Sequence, residues 1–433
     1  MTSMSMNWRS ILPAALLVLP LGAVELHVGP EQAFAHLEDA VLRAAAGDVI
    51  LVHPLPNQEP YAQVGLNITT PRLTLKATGG RVVLSGKGGD QSGRGARPRA
   101  IVQFSRGADG GVLEGFELTG AHNHSHNGAG VRINQANDVT IRDCVIHHND
   151  MGLMSNGDGT SRAGVNQMIE HCLIHANGDA SDPGFNHNLY LGGYSVTLLG
   201  CEVHSSLTGH NIKSRAHKTI VHACYVHDSA NREFDLVDAQ GDTTMPGSDA
   251  VLAGNVIVKA RHCSGNRGVI HFGQDGGKDH DGTLYLLHNT MVTPYVSPVV
   301  LLSSGKAHVQ FFNNLIWDGG GQQSRQQLLA LLKTSSQVQG AGNWRSEGFS
   351  DGNGYGRIFA PASLTQPPFR NASAGDYRLR ERQPEFADAG RRLPQELLRP
   401  LRDKLRQFQI SLGSAPRSDE GRPALGAFAL DAP

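Results

Sequence analysis

The stretch GHNIKSR, residues 209–215, places two cationic side chains on one short apolar segment. Lys213 and Arg215 are two positions apart, so in a β-strand they face the same side. The earlier stretch NHNLY, residues 186–190, ends in a phenol, Tyr190, 23 positions before Lys213. An amine, a guanidinium and a phenol that share one surface could bind a carboxylate and move a proton.

β-Elimination in a uronate polysaccharide needs such groups. The uronate carboxylate must be neutralised, a base must remove the adjacent C5 proton, and an acid must protonate the leaving glycosidic oxygen. Lysine suits the base if positive charge or burial lowers its pKa, and Arg215 would act in that direction. We therefore predict Lys213 as the base, Arg215 as a carboxylate clamp and Tyr190 as a proton donor or relay. Three histidines are further acid or base candidates: His187, His210 and His271.

These residues lie in a chain that repeats itself. The segments TIRDCVIHHN, MIEHCLIHAN, TLLGCEVHSS and IVHACYVHDS align four cysteines in one column: Cys144, Cys172, Cys201 and Cys224. Later segments put Asn255, Asn289 and either Asn313 or Asn314 in the same column. A variable period of 23 to 34 residues, built from short apolar strands, is typical of a β-solenoid. The column is then a stack of core residues, and neither disulfides nor a cysteine metal site are expected.

Four histidines follow the cysteines at a constant offset: His147, His175, His204 and His227. Four aligned imidazoles suggest a metal site. However, equal spacing along a solenoid does not converge on one point, as a tetrahedral site requires. We predict a ladder of stacked corner residues and no metal site.

One strand of each coil can be placed in register, because Tyr190 and Lys213 each lie 11 residues before a column cysteine. Alternation then gives an inward set that is almost wholly apolar: Val131, Ile133, Leu153, Leu189, Leu191, Ile212, Ser214, Phe234, Leu236, Ile270 and Phe272. The outward set is almost wholly polar: Arg132, Asn134, Asn188, Tyr190, Asn211, Lys213, Arg215, Glu233, Asp235, His271 and Gly273. Simple solvation of a sheet face is the alternative. The mixture of charges and the bordering insertions, residues 157–167 and 237–249, favour a functional groove.

Within this face the predicted catalytic residues are Lys213, Arg215, Tyr190 and His187. The predicted substrate-binding residues are Asn188, Asn211, His210, Arg132, His271, Glu233 and Asp235. An acidic group of four residues, Glu233, Asp235, Asp238 and Asp242, could hold Ca²⁺, which prefers several oxygen ligands. Alternatively these acids pair with Lys213 and Arg215, which would raise the lysine pKa and weaken its use as a base.

The length, the charge balance and the N-terminal segment of the chain limit the classes of function to be considered. It has 433 residues with 38 Lys+Arg against 39 Asp+Glu, a balance that argues against a nucleic-acid binder. Residues 1–23 look like a signal peptide, with one Arg before an apolar run, which predicts a periplasmic or secreted protein. No later stretch is long and apolar enough to cross a membrane. We expect a β-solenoid over residues 24–340, a C-terminal cap or tail over 341–433, and a monomer.

Two segments of the chain resemble known protein families. The segment AFAHLEDAVLRAAAGDVILVHP, a short helix and then a strand, resembles the capping helix and first strand of right-handed parallel β-helix proteins of the pectate-lyase type. The tail also resembles the ending of such proteins, with a helix expected over residues 393–409. HNIKS is similar to a strand of the alginate and chondroitin lyases of polysaccharide lyase family six, where the lysine is the base and an arginine on a nearby turn is the acid. That family's later Arg-His-Gly strand is missing here, since the next coil reads EFDLVDAQGD, so the acid stays unassigned.

The resemblance implies a polysaccharide lyase that acts on an acidic polysaccharide. Three alternatives remain open. A glycoside hydrolase could use Glu233 with Asp235 or Asp238. A uronate epimerase would use much of the same apparatus, and a glycan-binding β-helix protein would use the face for binding alone.

Overall fold

The structure is a computed structural model. It describes residues 22–238, 245–275, 280–295, 297–319, 326–331, 337–350, 358–362, 367–380, 384–402, 404–410, 412–418 and 423–429. Residues 1–21 of the predicted signal peptide therefore lie outside the described residues. Three long parallel sheets, here called A, B and C, run along the chain, and each successive coil adds one strand to a sheet.

The strands of sheet A, in the order of their pairing, are β1 (Glu25–Val28), β2 (Val49–Val52), β4 (Thr74–Ala77), β7 (Val112–Glu114), β10 (Thr140–Arg142), β13 (Gln167–Glu170), β16 (Ser195–Leu199), β19 (Lys218–His222), β22 (Asp249–Ala253), β25 (Thr283–Leu287), β28 (His308–Phe312) and β32 (Val338–Ala341). Those of sheet B are β5 (Val82–Ser85), β8 (Phe116–Thr119), β11 (Val145–His147), β14 (Leu173–His175), β17 (Glu202–His204), β20 (Tyr225–His227), β23 (Val256–Val258), β26 (Thr290–Val292), β29 (Leu315–Trp317), β33 (Asn343–Ser346) and β35 (Phe359–Ala362). Those of sheet C are β3 (Leu66–Ile68), β6 (Ala100–Ser105), β9 (Ala129–Asn134), β12 (Met151–Asn156), β15 (Leu189–Leu191), β18 (Ile212–Ser214), β21 (Phe234–Val237), β24 (Ile270–Gly273), β27 (Val300–Leu302) and β31 (Leu329–Leu331).

Short elements complete the described chain. Three two-stranded pairs are β30 (Gln326–Gln327) with β34 (Phe349–Ser350), β36 (Phe369–Asn371) with β37 (Asp376–Leu379), and β38 (Arg406–Phe408) with β39 (Ser414–Pro416). The helices are α1 (Leu37–Arg43), α2 (Pro384–Ala387) and α3 (Gln395–Leu398), with 3₁₀ turns at Pro56–Gln58, Ala372–Ala374 and Arg399–Leu401.

The helix expected near the N-terminus is present as α1, although its role as a cap stays a prediction. The prediction of a helix over residues 393–409 is wrong, because the α-helix there, α3, covers only Gln395–Leu398. After α3 the chain makes one 3₁₀ turn, Arg402 adopts a left-handed conformation, and a strand follows from Arg406. Pro400 offers no backbone N–H for an α-helix, which explains the break.

The three sheets wind into a right-handed parallel β-helix, as predicted, with sheet contacts continuing to Ala362. Alternate strand residues point into the coil. Along sheet C the inward column is wholly apolar and buried: Leu153, Leu189, Ile212, Phe234, Ile270 and Val300. Stacked coils thus share one continuous core, and burial of this apolar surface is the main stabilising term. Among the described residues no helix is long and apolar enough to span a membrane.

The predicted cysteine column is confirmed. All four cysteines are buried free thiols, and the backbone N–H of Cys224 donates to the side chain of Asn255 at 2.8 Å. From there the column continues as an amide ladder through Asn289 and Asn314, with side chains 3.0 Å apart at each step. Asn314 rather than Asn313 occupies the ladder, so the choice left open by the sequence is settled.

A second polar ladder lies at the corner before sheet C. Its amides run from Asn149 through Asn177 to Asn188 and Asn211, and each donates to the next amide at 2.8–3.1 Å. The last amide donates to the carboxylate of Glu233 at 2.6 Å, and the ammonium of Lys259 lies 3.4 Å from that carboxylate. The side chains of Glu233 and Lys259 are fully buried. Bonds from Asn149 to Asn177, from Asn188 to Asn211 and from Asn211 to Glu233 join neighbouring coils and help to fix their register.

This ladder corrects three predictions. Asn188, Asn211 and Glu233 were expected to face outward and bind substrate, but all three are buried. They precede strands β15, β18 and β21 at the bend of the coil, where the alternation of a regular strand does not hold. Their side chains are committed to the ladder and have no access to a substrate.

The predicted histidine column is also a stack. His175 lies between His147 and His204 with ring centroids 5.1 and 5.0 Å away, and His204 lies 4.8 Å from His227. Burial and the neighbouring imidazoles lower the pKa of His204 to about 4. His227 has acidic partners, Asp228 and Glu202, which outweigh its burial and raise its pKa to about 9.

Several buried histidines predict acid sensitivity of the fold. Burial lowers the pKa of His210, His222 and His280 to about 4. The unfolded chain, with histidine pKa near 6.5, then binds more protons than the folded chain, so the free energy of unfolding should fall as pH drops from 6.5 to 4. A shift of this size corresponds to roughly 3 kcal/mol per histidine. Denaturant titrations across this pH window test the prediction, and a flat profile would contradict it.

Candidate active site on sheet C

One row of outward side chains crosses four adjacent coils of sheet C. Strand pairing aligns Tyr190 with Lys213, Lys213 with Asp235, and Asp235 with His271. This register agrees with the one read from the sequence. Parallel strands lie about 4.8 Å apart, so the four side chains form a continuous polar row.

Lys213 lies between two carboxylates. Its Nζ atom is 3.1 Å from Asp235 Oδ2 and 2.8 Å from Asp275 Oδ2. Asp235 comes from the next coil, whereas Asp275 follows β24 one coil further on. Lys213 and Asp235 are largely buried, and Asp275 is the most exposed member of the group.

Arg215 completes the cluster. Its Nη2 atom donates to the same Asp275 oxygen that binds Lys213. Its Nε atom donates to the phenol oxygen of Tyr190 at 3.1 Å, and its Nη1 atom donates to the carbonyl of Asp238 at 3.2 Å. One carboxylate thus bridges an ammonium and a guanidinium, and the guanidinium also holds the phenol.

These pairs overturn the predicted effect of Arg215 on Lys213. Burial opposes the ammonium charge, but Asp235 and Asp275 outweigh it, so the pKa of Lys213 is raised. The sequence argument for a base needed a lowered pKa, and the alternative reading, that acids pair with Lys213, is the one observed. With these partners Lys213 is an ammonium.

Two stacked histidines flank the row. The rings of His187 and His210 lie 5.1 Å apart, and His187 also packs edge-on against Tyr190. The Nδ1 atom of His187 accepts the backbone N–H of His210 at 3.0 Å, and the Nδ1 atom of His210 accepts that of Arg232 at 3.2 Å. Burial lowers the pKa of both imidazoles, to about 4 for His210. Each neutral ring therefore carries its proton on Nε2 and acts as a donor.

Asp235 is the most heavily bonded carboxylate of the site. Besides Lys213, it binds the guanidinium of Arg232 at 3.1 Å, Nδ1 of His271 at 2.8 Å and Nε2 of His210 at 3.5 Å. Burial alone would raise its pKa, but these partners hold the pKa well below its usual range. On the far side of His271, Nε2 lies 2.6 Å from the hydroxyl of Ser303.

The remaining predicted residue, Arg132, lies on the same row two coils away. Strand pairing runs from Arg132 to Met154 and then to Tyr190. Its Nη1 atom lies 3.8 Å from the sulfur of Met154. Arg132 therefore lies on the same row as Lys213, with Met154 and Tyr190 between them.

Three of the four residues of the predicted acidic group are described, and they do not converge on one point. Glu233 points into the core, Asp235 is committed to cations, and Asp242 lies outside the described residues. Asp238 accepts the backbone N–H of Asp275 at 2.6 Å. Elsewhere, on sheet B, donor atoms of Glu202, His204 and His227 lie within 4.8 Å of one another and could approach a metal ion.

Sequence reasoning missed Asp275, Arg232 and Ser303. Asp275 follows β24 and lies beyond the segments that the repeat aligns. Ser303 ends the segment VVLLS, which the repeat aligns with VIHFG, but the alignment gives no sign of its contact with His271. Arg232 lies at the bend before β21 and reaches Asp235 by its length. The polar QDGGKD stretch after the HFG strand was the available signal for Asp275.

With its three parallel sheets, the chain has the fold of the right-handed parallel β-helix proteins. Among solved structures it is similar to the pectate lyase Pel9A, with a TM-score of 0.55 and 13% identity over 94% of this chain and 97% of that one. It is also similar to a pectin methylesterase from Aspergillus niger, with a TM-score of 0.41 and 14% identity over 66% of this chain and 88% of that one. A PL6 family alginate lyase, AlyGC, aligns with a TM-score of 0.39 and 14% identity over 80% of this chain and 54% of that one. No protein-family model and no curated protein matches the sequence. The likeness to Pel9A, at 13% identity, shows the fold alone.

Proposed function

We propose that the sheet C groove binds a uronate-containing polysaccharide and cleaves it by β-elimination. The observation that carries this proposal is the shared carboxylate of Asp275, which bridges Lys213 and Arg215. A substrate carboxylate that replaced Asp275 would find an ammonium and a guanidinium already in place. Arginine and lysine together would neutralise the uronate and acidify its C5 proton.

The proton transfers are assigned to Tyr190. Its oxygen is bonded to the guanidinium of Arg215, which would stabilise negative charge on that oxygen. His187 and His210 are buried, and Nε2 of His210 lies 3.5 Å from Asp235, so the two rings are proposed to support the row behind Tyr190 and Asp235. A base role for Lys213, the prediction from the sequence, would require the substrate to displace both aspartates from the ammonium. Lys213 is therefore proposed to bind and neutralise the carboxylate.

A non-catalytic glycan-binding face is the second candidate. The raised pKa of Lys213 favours it, because a permanent cation binds acidic sugars without chemistry. We also propose, from residues 1–23, that the protein is located outside the cytoplasm, where it would meet such polymers.

Incubation with alginate, pectate and glycosaminoglycans tests the proposal. We expect ultraviolet absorbance from unsaturated ends with at least one of these polymers. New reducing ends without that absorbance would indicate a glycoside hydrolase instead. Binding with no turnover would indicate the glycan-binding alternative, and the absence of both binding and turnover would contradict the proposal as a whole.

A further inference from the structure

Three side chains on successive coils of sheet C form a chain of hydrogen bonds. Asp235 Oδ1 lies 2.8 Å from His271 Nδ1, and His271 Nε2 lies 2.6 Å from Ser303 Oγ. Asp235 lies on β21, His271 on β24, and Ser303 directly after β27. The proposed elimination uses neither His271 nor Ser303.

The protonation pattern follows from the partners. Asp235 is ionised and can only accept, so the Nδ1 atom of His271 carries the proton. In the neutral imidazole the Nε2 atom is then the one that accepts the hydroxyl hydrogen of Ser303. The backbone N–H of Gln274 donates to the same hydroxyl oxygen at 2.8 Å. The Gln274 carbonyl is a second acceptor for the hydroxyl but lies at 3.5 Å, so the shorter 2.6 Å contact with His271 Nε2 is favoured. Lys213 and Arg232 hold Asp235 in place from its other sides.

We propose that Ser303, His271 and Asp235 are a nucleophile, a general base and an orienting carboxylate that hydrolyse acyl esters at this groove. A serine activated by a neutral histidine, itself oriented by a carboxylate, is the arrangement that acyl transfer requires. Ser303 is half-buried and so remains open to solvent, whereas His271 and Asp235 are shielded from it. The substrate class is a small acyl ester, such as an O-acetyl group on a sugar hydroxyl. The identification of the ester's carrier as an acidic sugar rests on the proposed function, whereas the ester hydrolysis itself does not.

The reaction balances with water as the only co-reactant. The Ser303 oxygen attacks the ester carbonyl while His271 Nε2 takes the hydroxyl proton, and the sugar oxygen leaves with that proton. Water then attacks the acyl-serine, gives one proton to His271, and releases the carboxylic acid as the Ser303 hydroxyl is restored. The sum is ester plus water to acid plus sugar hydroxyl.

Labelling of the full chain with an alkyl fluorophosphonate and hydrolysis of p-nitrophenyl acetate test the proposal. We expect one label per chain, on Ser303, and a loss of about 10³-fold or more in hydrolysis for Ser303→Ala and for His271→Ala. Ser105→Ala is the matched control, because Ser105 is another partly exposed serine of sheet C, bonded to Asn67 at 2.7 Å. That variant should keep both label and rate.

An unlabelled wild-type chain that melts cooperatively would overturn the proposal, and so would undiminished hydrolysis in Ser303→Ala. In the same incubation with an acetylated uronate polymer, the release of acetate and the absorbance of unsaturated ends are both measured. Acetate without unsaturation separates failure of the elimination from failure of the ester hydrolysis. Loss of labelling in Asp235→Asn, with a pH–rate profile shifted from that of the wild type, would confirm that the carboxylate acts through His271.

Discussion

Lys213→Ala is expected to lower the turnover of a uronate polysaccharide by roughly 10²- to 10⁴-fold. The substitution removes the ammonium that lies 3.1 Å from Asp235 and 2.8 Å from Asp275, and with it half of the proposed carboxylate clamp. The fold should persist, because Asp235 keeps its bonds to Arg232 and His271. The rate of appearance of unsaturated ends at saturating substrate is the measurement.

Lys76→Ala is the matched control. Lys76 also extends from a strand and pairs with a carboxylate, that of Glu114, at 2.8 Å, but it lies on sheet A. Its activity should equal that of the wild type. If Lys213→Ala retained full turnover with an unchanged melting curve, the cation pair would have no part in the chemistry.

Lys259→Met is expected to lower the free energy of unfolding by about 3–5 kcal/mol. The change leaves the buried carboxylate of Glu233 with its bonds to Asn211 and the backbone of Ser229 but without a cation. Burial raises the pKa of Glu233 even in the presence of Lys259, so removal of the ammonium makes the carboxylate costlier still. Denaturant-induced unfolding at neutral pH measures the loss.

Two comparisons sharpen this second prediction. Arg81→Met removes the partner of Glu117 from a solvent-exposed pair at 2.6 Å and should cost less than about 1 kcal/mol. The double variant Glu233→Gln with Lys259→Met removes both charges and should recover much of the loss. Equal losses for Lys259→Met and Arg81→Met would show that the buried pair has no special weight.

Much of the fold could be predicted because a solenoid repeats. The cysteine column and the 23-residue interval between Tyr190 and Lys213 determine the register of two coils, and the inward apolar set follows from strand alternation. The same rule failed at the bends. Asn188 and Asn211 share the parity of Tyr190 and Lys213, yet their amides turn inward because a neighbouring coil supplies matching partners.

The electrostatics of the site could not be predicted from spacing. Whether Lys213 is a base or a permanent cation depends on Asp275, which is 62 residues away in the chain and follows a coil of different length. Burial alone would lower the pKa of Lys213. The positions of the two carboxylates reverse this effect, and they could not be read from the sequence. The contact between Ser303 and His271 could not be predicted from spacing either, because 32 residues separate the two in the chain.

The carboxylate of Asp275 has a consequence for selectivity. In the proposed lyase it would compete with the substrate carboxylate as a tethered group, at an effective concentration that a free monosaccharide acid would match only in the millimolar range. A polymer that engages several coils at once gains binding from each of them and can displace it. We therefore expect the groove to discriminate by chain length, with long oligomers inhibiting or reacting at concentrations where single sugars have no effect.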